Sequence, residues 1–125
     1  MTDQAASDTG GFVDGNSFAD ARLAAFQRGD VKTVIGMYRD DAVVITPEGS
    51  IKGAAISAMM VALFEEFAQP GVTFELISRA AEGDVANFVW RASTNKTQYD
   101  FCAETYVLKD GKIAVQTFSG QMRPR

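Results

Sequence analysis

The sequence predicts an α+β fold in which helices come first and a sheet of long antiparallel strands follows. Apolar residues recur at helical spacing as far as residue 67. From about residue 72 this period is lost, and runs rich in β-branched and aromatic residues alternate with polar ones. Turn sequences such as Asp110-Gly111 separate these later runs. Such an order places helices over one face of the sheet.

Composition and charge exclude several functional classes. A chain of 125 residues is large enough for one domain with one core. Its net charge of −4 provides no electrostatic footprint for nucleic acid or an anionic membrane. No apolar run approaches the roughly 20 residues that span a bilayer, and the N-terminal residues lack a secretion pattern. We therefore expect a cytoplasmic protein without nucleic-acid or membrane partners.

The residue types present restrict the possible chemistry. The chain has no histidine, which excludes imidazole bases and histidine metal sites. Cys102 is the single cysteine, so we expect neither an internal disulfide nor a cysteine metal cluster, and we interpret Cys102 as a buried structural thiol. Glycine-rich nucleotide motifs and zinc motifs are also missing from the sequence. No cofactor and no metal are expected.

The first half of the chain predicts three helices. Residues 1–14 are small and polar and predict a flexible N-terminal arm, and residues 15–125 form the single domain. The first helix is expected to begin at Ser17 and to end near Arg28, and Asp30 is expected to cap the second. One face of the second helix is predicted to carry Val31, Val34, Ile35 and Tyr38.

A short strand is predicted at residues 42–46, before the turn Pro47-Glu48-Gly49. The third helix follows and ends before Gln69-Pro70-Gly71. Its wide apolar stripe consists of Ile56, Met59, Met60, Leu63, Phe64 and Phe67.

Four long strands are predicted at about 72–81, 85–93, 98–109 and 112–121. Alternation predicts which residues face the helices. In the second long strand these are Phe88, Trp90 and Ala92. In the third they are Tyr99, Phe101, Ala103, Thr105 and Val107. In the fourth they are Ala114, Gln116 and Phe118.

Five short motifs follow one another along the chain, namely Gly29-Asp30, Met37-Tyr38-Arg39-Asp40-Asp41-Ala42, Pro47-Glu48-Gly49, Ile51-Lys52-Gly53 and Lys109-Asp110-Gly111-Lys112-Ile113. In their order and spacing the chain resembles the nuclear transport factor 2-like superfamily, and its SnoaL-like, polyketide cyclase-like branch most closely, over about residues 15–120. The resemblance implies a cone-shaped curved antiparallel sheet with the three N-terminal helices over its concave face, a cystatin-like α+β roll. It also implies a mostly apolar cavity and a homodimer formed through the convex sheet face.

Ketosteroid isomerases of this superfamily use a tyrosine, a carboxylate base and a protonated carboxylic acid. The corresponding positions here fall on Arg22, Thr46 and near Phe101, so the resemblance does not extend to that reaction. It does match Tyr38 to a tyrosine at the family's second helix. The same alignment turns Val89 and Arg91 inward, against the alternation pattern, and leaves the register around Trp90 open.

Candidate cavity residues follow from these patterns. An inward Gln116 must find a hydrogen-bonding partner, and Arg22 could bind a carboxylate or enolate oxygen unless it is a solvated surface arginine. The aromatic residues could stack on a flat ligand, although core packing explains them equally well. The full set is Arg22, Phe26, Tyr38, Thr46, Met60, Phe64, Trp90, Tyr99, Phe101, Gln116 and Phe118.

No catalytic residue is assigned. Alternation places Asp100 and Glu104 on the convex face or in a dimer interface. Asp40-Asp41 follow the predicted second helix and are expected to form a solvated turn. The first functional hypothesis is a protein that binds a small, mostly apolar ligand in the cone and acts as a cofactor-independent isomerase, cyclase or hydratase-type lyase. The alternative is a non-enzymatic ligand-binding, protein-interaction or dimerisation module with a filled cavity. An inward-facing carboxylate would favour the enzyme.

Overall fold

A computed structural model describes residues 11–125 of the chain and confirms the α+β class. Six strands form one curved, unclosed sheet in the order β2-β1-β6-β5-β4-β3. The elements are, in chain order, α1 (Gly15–Gln27), α2 (Val31–Ile35), β1 (Tyr38–Thr46), β2 (Gly49–Lys52), α3 (Ala54–Phe67), β3 (Thr73–Glu82), β4 (Val85–Ser93), β5 (Thr97–Lys109) and β6 (Lys112–Pro124).

The sheet is antiparallel except at one pair of strands. β1 pairs with β6 in parallel, while the β1/β2, β3/β4, β4/β5 and β5/β6 pairs are antiparallel. The parallel pair is possible because the long connection through α3 and four strands returns the chain to the side of β1. The predicted antiparallel meander is therefore confirmed for β3 to β6. The four-residue β2 was not predicted, because so short a segment gives little alternation.

Helix α1 begins earlier than its sequence suggests. The side chain of Asp14 accepts a hydrogen bond from the backbone N–H of Ser17 at 2.8 Å, so Asp14 and not Ser17 is the N-cap. Asp30 caps α2 as predicted and accepts from the N–H of Thr33 at 3.1 Å.

Helix α2 ends before Tyr38. Gly36 follows its last residue, Ile35, and Tyr38 is the first residue of β1. The expectations that Tyr38 lies on a helix and that Asp40-Asp41 form a turn are thus wrong. Both carboxylates lie within β1, on its exposed part. A helix-like spacing over a few residues could not reveal that the strand had already begun.

The predicted arm lies partly outside the described residues, which begin at Gly11. Phe12 donates its backbone N–H to the carbonyl of Gly111 at 2.7 Å. Its ring meets that of Phe18 edge to face, with 5.7 Å between centroids. The last residues of the predicted arm therefore lie against the domain.

A bulge in β5 reverses the predicted facing of that strand. Relative to β4 and β6, β5 contains one extra residue at Asp100–Phe101. Because side chains alternate with a period of two, this insertion turns every later residue of the strand to the other face. Tyr99 faces inward as predicted. Beyond the bulge the prediction is wrong, and the inward residues are Cys102, Glu104, Tyr106 and Leu108.

Strand β4 has the alternation predicted for it. Phe88, Trp90 and Ala92 are buried and Arg91 is exposed, so the inward placement of Val89 and Arg91 implied by the family alignment is wrong. In β6, Gln116 is buried as predicted, but a second bulge near Ala114 makes Ile113 the buried residue at the start of the strand.

The helices cover the inner face of the sheet. Helix α1 buries Phe18, Ala19 and Arg22, and α3 buries Ile56 and Met60. The rest of the α3 stripe is partly buried against the same core. Within residues 11–125, every helix is too short or too polar to cross a bilayer.

Candidate functional site

Two mostly apolar cavities lie between the helices and the inner face of the sheet. The Arg22 cavity has a volume of about 60 Å³, and the Gln116 cavity one of about 170 Å³. Leu63, Trp90 and Glu104 line both cavities, so the two meet at these side chains. The Arg22 cavity is further lined by Arg22, Phe26, Phe64, Phe74 and Tyr106. The Gln116 cavity is further lined by Thr46, Met59, Met60, Tyr99, Gln116 and Phe118.

A chain of hydrogen bonds runs behind these cavities, beginning at Arg22 on α1. Arg22 donates through Nη2 to the hydroxyl oxygen of Tyr38 at 3.1 Å. The Tyr38 hydroxyl donates in turn to Oε1 of Gln116 at 2.5 Å. All three side chains are at least nine-tenths buried. Each of these three side chains thus has a hydrogen-bonding partner on a different element.

The series of hydrogen bonds continues from Gln116 to a carboxylate, that of Glu104. Gln116 Nε2 donates to the hydroxyl oxygen of Tyr106 at 3.4 Å, and the Tyr106 hydroxyl donates to Oε1 of Glu104 at 2.5 Å. Trp90 donates through Nε1 to the other carboxylate oxygen at 3.3 Å. Every donor points away from the guanidinium and toward the carboxylate. Such aligned bonds polarise one another in a low-dielectric interior.

The two tyrosine hydroxyl groups are protonated, as the direction of these hydrogen bonds requires. Burial raises the pKa of Tyr106 well above its usual value, although the nearby charge of Arg22 acts to lower it. Burial likewise raises the pKa of Tyr38, again partly offset by Arg22. Both hydroxyl groups therefore keep their protons at neutral pH and act as donors.

Arg22 stays charged in spite of its burial. Burial acts to lower its pKa, but the interactions with Tyr106, Tyr38 and Glu104 raise the pKa above its usual value. The guanidinium carbon lies 5.0 Å from the ring centre of Tyr106 and 5.5 Å from that of Tyr38. Both are cation–π distances. The expectation of a solvated surface arginine is wrong.

One nitrogen of this guanidinium is left over. Arg22 Nη1 is buried and donates to no acceptor within residues 11–125. Nor does Arg22 form an ion pair with any carboxylate of that part of the chain. A buried donor without an acceptor costs about 1–3 kcal/mol. Arg22 is also one of the residues that line the smaller cavity.

The structure brings most of the predicted site residues together. Arg22, Phe26, Phe64 and Trp90 line the Arg22 cavity, and Tyr38 is hydrogen-bonded between Arg22 and Gln116. The predicted residues that line the Gln116 cavity are Thr46, Met60, Trp90, Tyr99, Gln116 and Phe118.

Phe101 does not belong to the site. Its side chain is 48% exposed on the outer face of the sheet, because the β5 bulge turns it away from the helices. The expectation that Phe101 lines the cavity is wrong.

Sequence reasoning missed Glu104 and Tyr106. Both were placed outside by extending the alternation from Tyr99 through the bulge. The sequence nevertheless contained a signal for the inward placement of Glu104. Residues 104, 106 and 108 alternate onto one face of β5, and Tyr106 and Leu108 are large and apolar.

Two of the other acidic candidates form ion pairs away from the cavities. Asp100 lies on the outer face and pairs with Arg123 at 2.9 Å, and Asp41 pairs with Arg39 at 2.8 Å. Within residues 11–125, no group of three or more carboxylate or thiol side chains is arranged to hold a metal ion. Burial raises the pKa of Cys102 to about 12, so its thiol is un-ionised and unreactive at neutral pH.

Comparison with known proteins places this architecture in a family. The model of the SnoaL-like domain matches residues 19–116. This segment contains most of α1, the three long strands β3 to β5, and every residue of the hydrogen-bond chain that joins Arg22, Gln116 and Glu104. A search of curated protein sequences gave no match.

Solved structures show the same fold at low sequence identity. An NTF2-like protein of unknown function from Mesorhizobium loti has a TM-score of 0.70 at 19% identity, over 86% of this chain and 90% of that one. A SnoaL-like protein of unknown function from Burkholderia thailandensis has 0.67 at 15%, over 86% and 93%. An uncharacterised cystatin-fold protein from Novosphingobium aromaticivorans has 0.66 at 18%, over 84% and 97%. The chain belongs to the SnoaL-like domain family of the nuclear transport factor 2-like superfamily.

Proposed function

We propose that the two cavities bind one small, mostly apolar carbonyl compound and that Glu104 moves a proton next to its carbonyl group, without a cofactor. The observation that supports this most is the inward-facing carboxylate of Glu104, which lines both cavities. Membership of the SnoaL-like family agrees with a cyclase- or isomerase-type role.

Glu104 has the geometry of a held general base. Tyr106 and Trp90 each donate to one of its oxygens, which fixes the carboxylate plane. A carboxylate has about four acceptor positions, so lone pairs remain for a substrate proton. The surrounding walls are largely apolar, and electrostatic interactions in such a cavity are stronger than in water.

The proposed reaction begins with loss of a proton. Glu104 removes a proton from the carbon next to the carbonyl group, giving a carboxylic acid and an enolate. In an isomerisation the enolate is conjugated with a carbon–carbon double bond of the ligand, and the acid returns that proton to the far carbon of this double bond. In a cyclisation the enolate carbon attacks a second carbonyl of the same molecule, and the acid protonates the resulting alkoxide. Both routes regenerate the carboxylate and need no further reactant.

Hydrogen–deuterium exchange tests the proposal directly. Apolar ketones and aromatic diketones are incubated with the protein in deuterium oxide, and NMR follows deuterium uptake next to the carbonyl. We expect the wild-type protein to catalyse uptake, and Glu104→Gln to slow it by about 10²–10⁴-fold. Glu82→Gln, a change at an exposed residue of β3, is the matched control. Uptake that is equally fast in Glu104→Gln would refute the proposed role of Glu104.

A non-enzymatic ligand-binding module is the second candidate. It is favoured by the two hydrogen bonds that Glu104 already accepts, since these suit a structural carboxylate as well as a base. Trp90 is the single tryptophan and lines both cavities, so its fluorescence should change on binding. A ligand that changes this fluorescence and undergoes no exchange would favour the module.

A further inference from the structure

We infer that Arg22 makes the site selective for an aromatic or unsaturated carboxylate, whose carboxylate group accepts a hydrogen bond from Arg22 Nη1. This inference rests on the proposed function, because it concerns the same ligand. It adds the charge that the ligand carries and the end by which it is held.

The unused donor of Arg22 is the first observation. The side chain is 8% exposed, and Nη1 is buried without an acceptor in the described part of the chain. Nη2 is already engaged with Tyr38 and near the sulfur of Met60. Because Arg22 is a lining residue of the Arg22 cavity, a ligand oxygen bound there is the proposed acceptor for Nη1. Its arrival would remove the cost of a buried, unsatisfied donor.

The charge balance around Arg22 favours an anion over a neutral oxygen. The side chains nearest the guanidinium are two tyrosines that keep their protons, and a methionine. The interior carboxylate, Glu104, has both oxygens engaged by Tyr106 and Trp90. The buried cation thus has no carboxylate in direct contact, and Glu104 acts on it only from a longer distance. Guanidinium groups bind carboxylates through short, charge-assisted hydrogen bonds, which are about twice as strong as neutral ones.

The side chains that line the two cavities indicate the chemistry of the ligand beyond its carboxylate group. Phe26, Phe64 and Phe74 surround the Arg22 cavity, and the rings of Phe26 and Phe64 meet edge to face at 5.8 Å. A volume of about 60 Å³ suits the carboxylate end, and the larger cavity of about 170 Å³ suits the apolar body. A flat, unsaturated body would pass between them beside Trp90 and Glu104.

Isosteric probes separate charge from shape. Cinnamate and 1-naphthoate are compared with cinnamamide and 1-naphthamide, which have nearly the same shape and no charge. Binding is measured by calorimetry and by Trp90 fluorescence. We expect each carboxylate to bind the wild-type protein at least about tenfold more tightly than its amide.

Variants at Arg22 test whether this residue causes the preference for the carboxylate over the amide. Arg22→Met, which keeps an apolar stem of similar length, should lose this preference, and Arg22→Lys should keep part of it. Arg91→Met removes an exposed arginine on the outer face and should leave the preference unchanged. Thermal unfolding of each variant confirms that it is folded before binding is compared. The wild-type comparison of acid with amide needs no variant.

The outcomes distinguish the two proposals. Equal affinity for acid and amide would overturn the inference and leave the proposed function standing. A preference that survives in Arg22→Met would also overturn it. Binding of neither probe class would overturn the inference and remove the support for ligand binding as well. Carboxylate binding that persists in Glu104→Gln, with deuterium exchange lost, would support both.

Discussion

Tyr38 on β1 and Gln116 on β6 are joined across the parallel pair of strands by a hydrogen bond of 2.5 Å between the tyrosine hydroxyl and Oε1 of the glutamine. Gln116 is thereby fixed in one orientation, with its amide nitrogen directed at Tyr106. The parallel pairing of β1 with β6 therefore also positions the side chain of Gln116. It places the one neutral group that can both accept from one tyrosine and donate to the other between the charges of Arg22 and Glu104.

Replacing that amide should destabilise the protein. Gln116→Leu keeps the volume but leaves the Tyr38 hydroxyl without its acceptor and Tyr106 without its donor. We expect the free energy of unfolding to fall by about 1–3 kcal/mol, measured by urea denaturation. Thr117→Val, at the exposed neighbouring position, is the control and should change stability by less than about 0.5 kcal/mol. An unchanged midpoint of urea unfolding in Gln116→Leu would show that these hydrogen bonds do not contribute to stability.

Stability should decrease in alkaline solution. Burial raises the pKa of Cys102 from 9.0 to about 12. Below pH 9 the thiol is protonated in the folded and the unfolded protein, so it has no effect. Between about pH 9 and 12 the unfolded state ionises and the folded state does not, and stability falls by at most about 1.4 kcal/mol per pH unit.

Urea unfolding at pH 8, 9 and 10 measures this slope. The variant Cys102→Ala should lose stability less steeply than the wild type, whatever its stability at pH 8. A residual slope is expected from Tyr106 and Tyr99, because burial raises the pKa of each. Parallel slopes in the variant and the wild type would contradict the role of the thiol.

A methyl group at Gly120 should strain the pairing of β6 with β5, in which Gly120 lies opposite Cys102. A Cβ atom there would lie 2.7 Å from the sulfur of Cys102 and 2.8 Å from the carbonyl oxygen of Phe101. We expect Gly120→Ala to lower the free energy of unfolding by about 1–3 kcal/mol. Adding Cys102→Ala should restore part of the loss, since it removes the sulfur and not the carbonyl oxygen. Ser119→Ala serves as the control, and an equal effect there would rule out the steric explanation.

The homodimer implied by the family resemblance stays a prediction. The outer face of the sheet exposes Phe101 at 48% and Val107 at 37% on β5, and Ile45 is exposed on β1, with β6 between the two strands. If two copies associate through this face, Phe101→Glu should convert the dimer to a monomer, as measured by sedimentation or light scattering. Val61→Glu, on the exposed side of α3, should leave the mass unchanged. A monomeric wild-type protein would contradict the prediction.

Regular elements could be read from the sequence because their signals are local. The i, i+3, i+4 spacing from Ile56 to Phe67 identified α3, since a helix repeats its face every 3.6 residues whatever surrounds it. The alternation of Phe88, Trp90 and Ala92 set the register of β4 for the same reason, and Asp110-Gly111 marked the hairpin between β5 and β6. Most of the cavity-lining residues follow from these elements.

The sequence by itself determined the α+β class, the order of the elements and a largely apolar interior, because these depend on residues close together in the chain. Tertiary structure decided that Glu104 and not Phe101 faces that interior. The deciding feature is one extra residue in β5, which is accommodated by pairing with β4 and β6 far along the chain. A bulge without glycine or proline has no local signature. The carboxylate on which the proposed chemistry depends was therefore placed by strand pairing rather than by pattern.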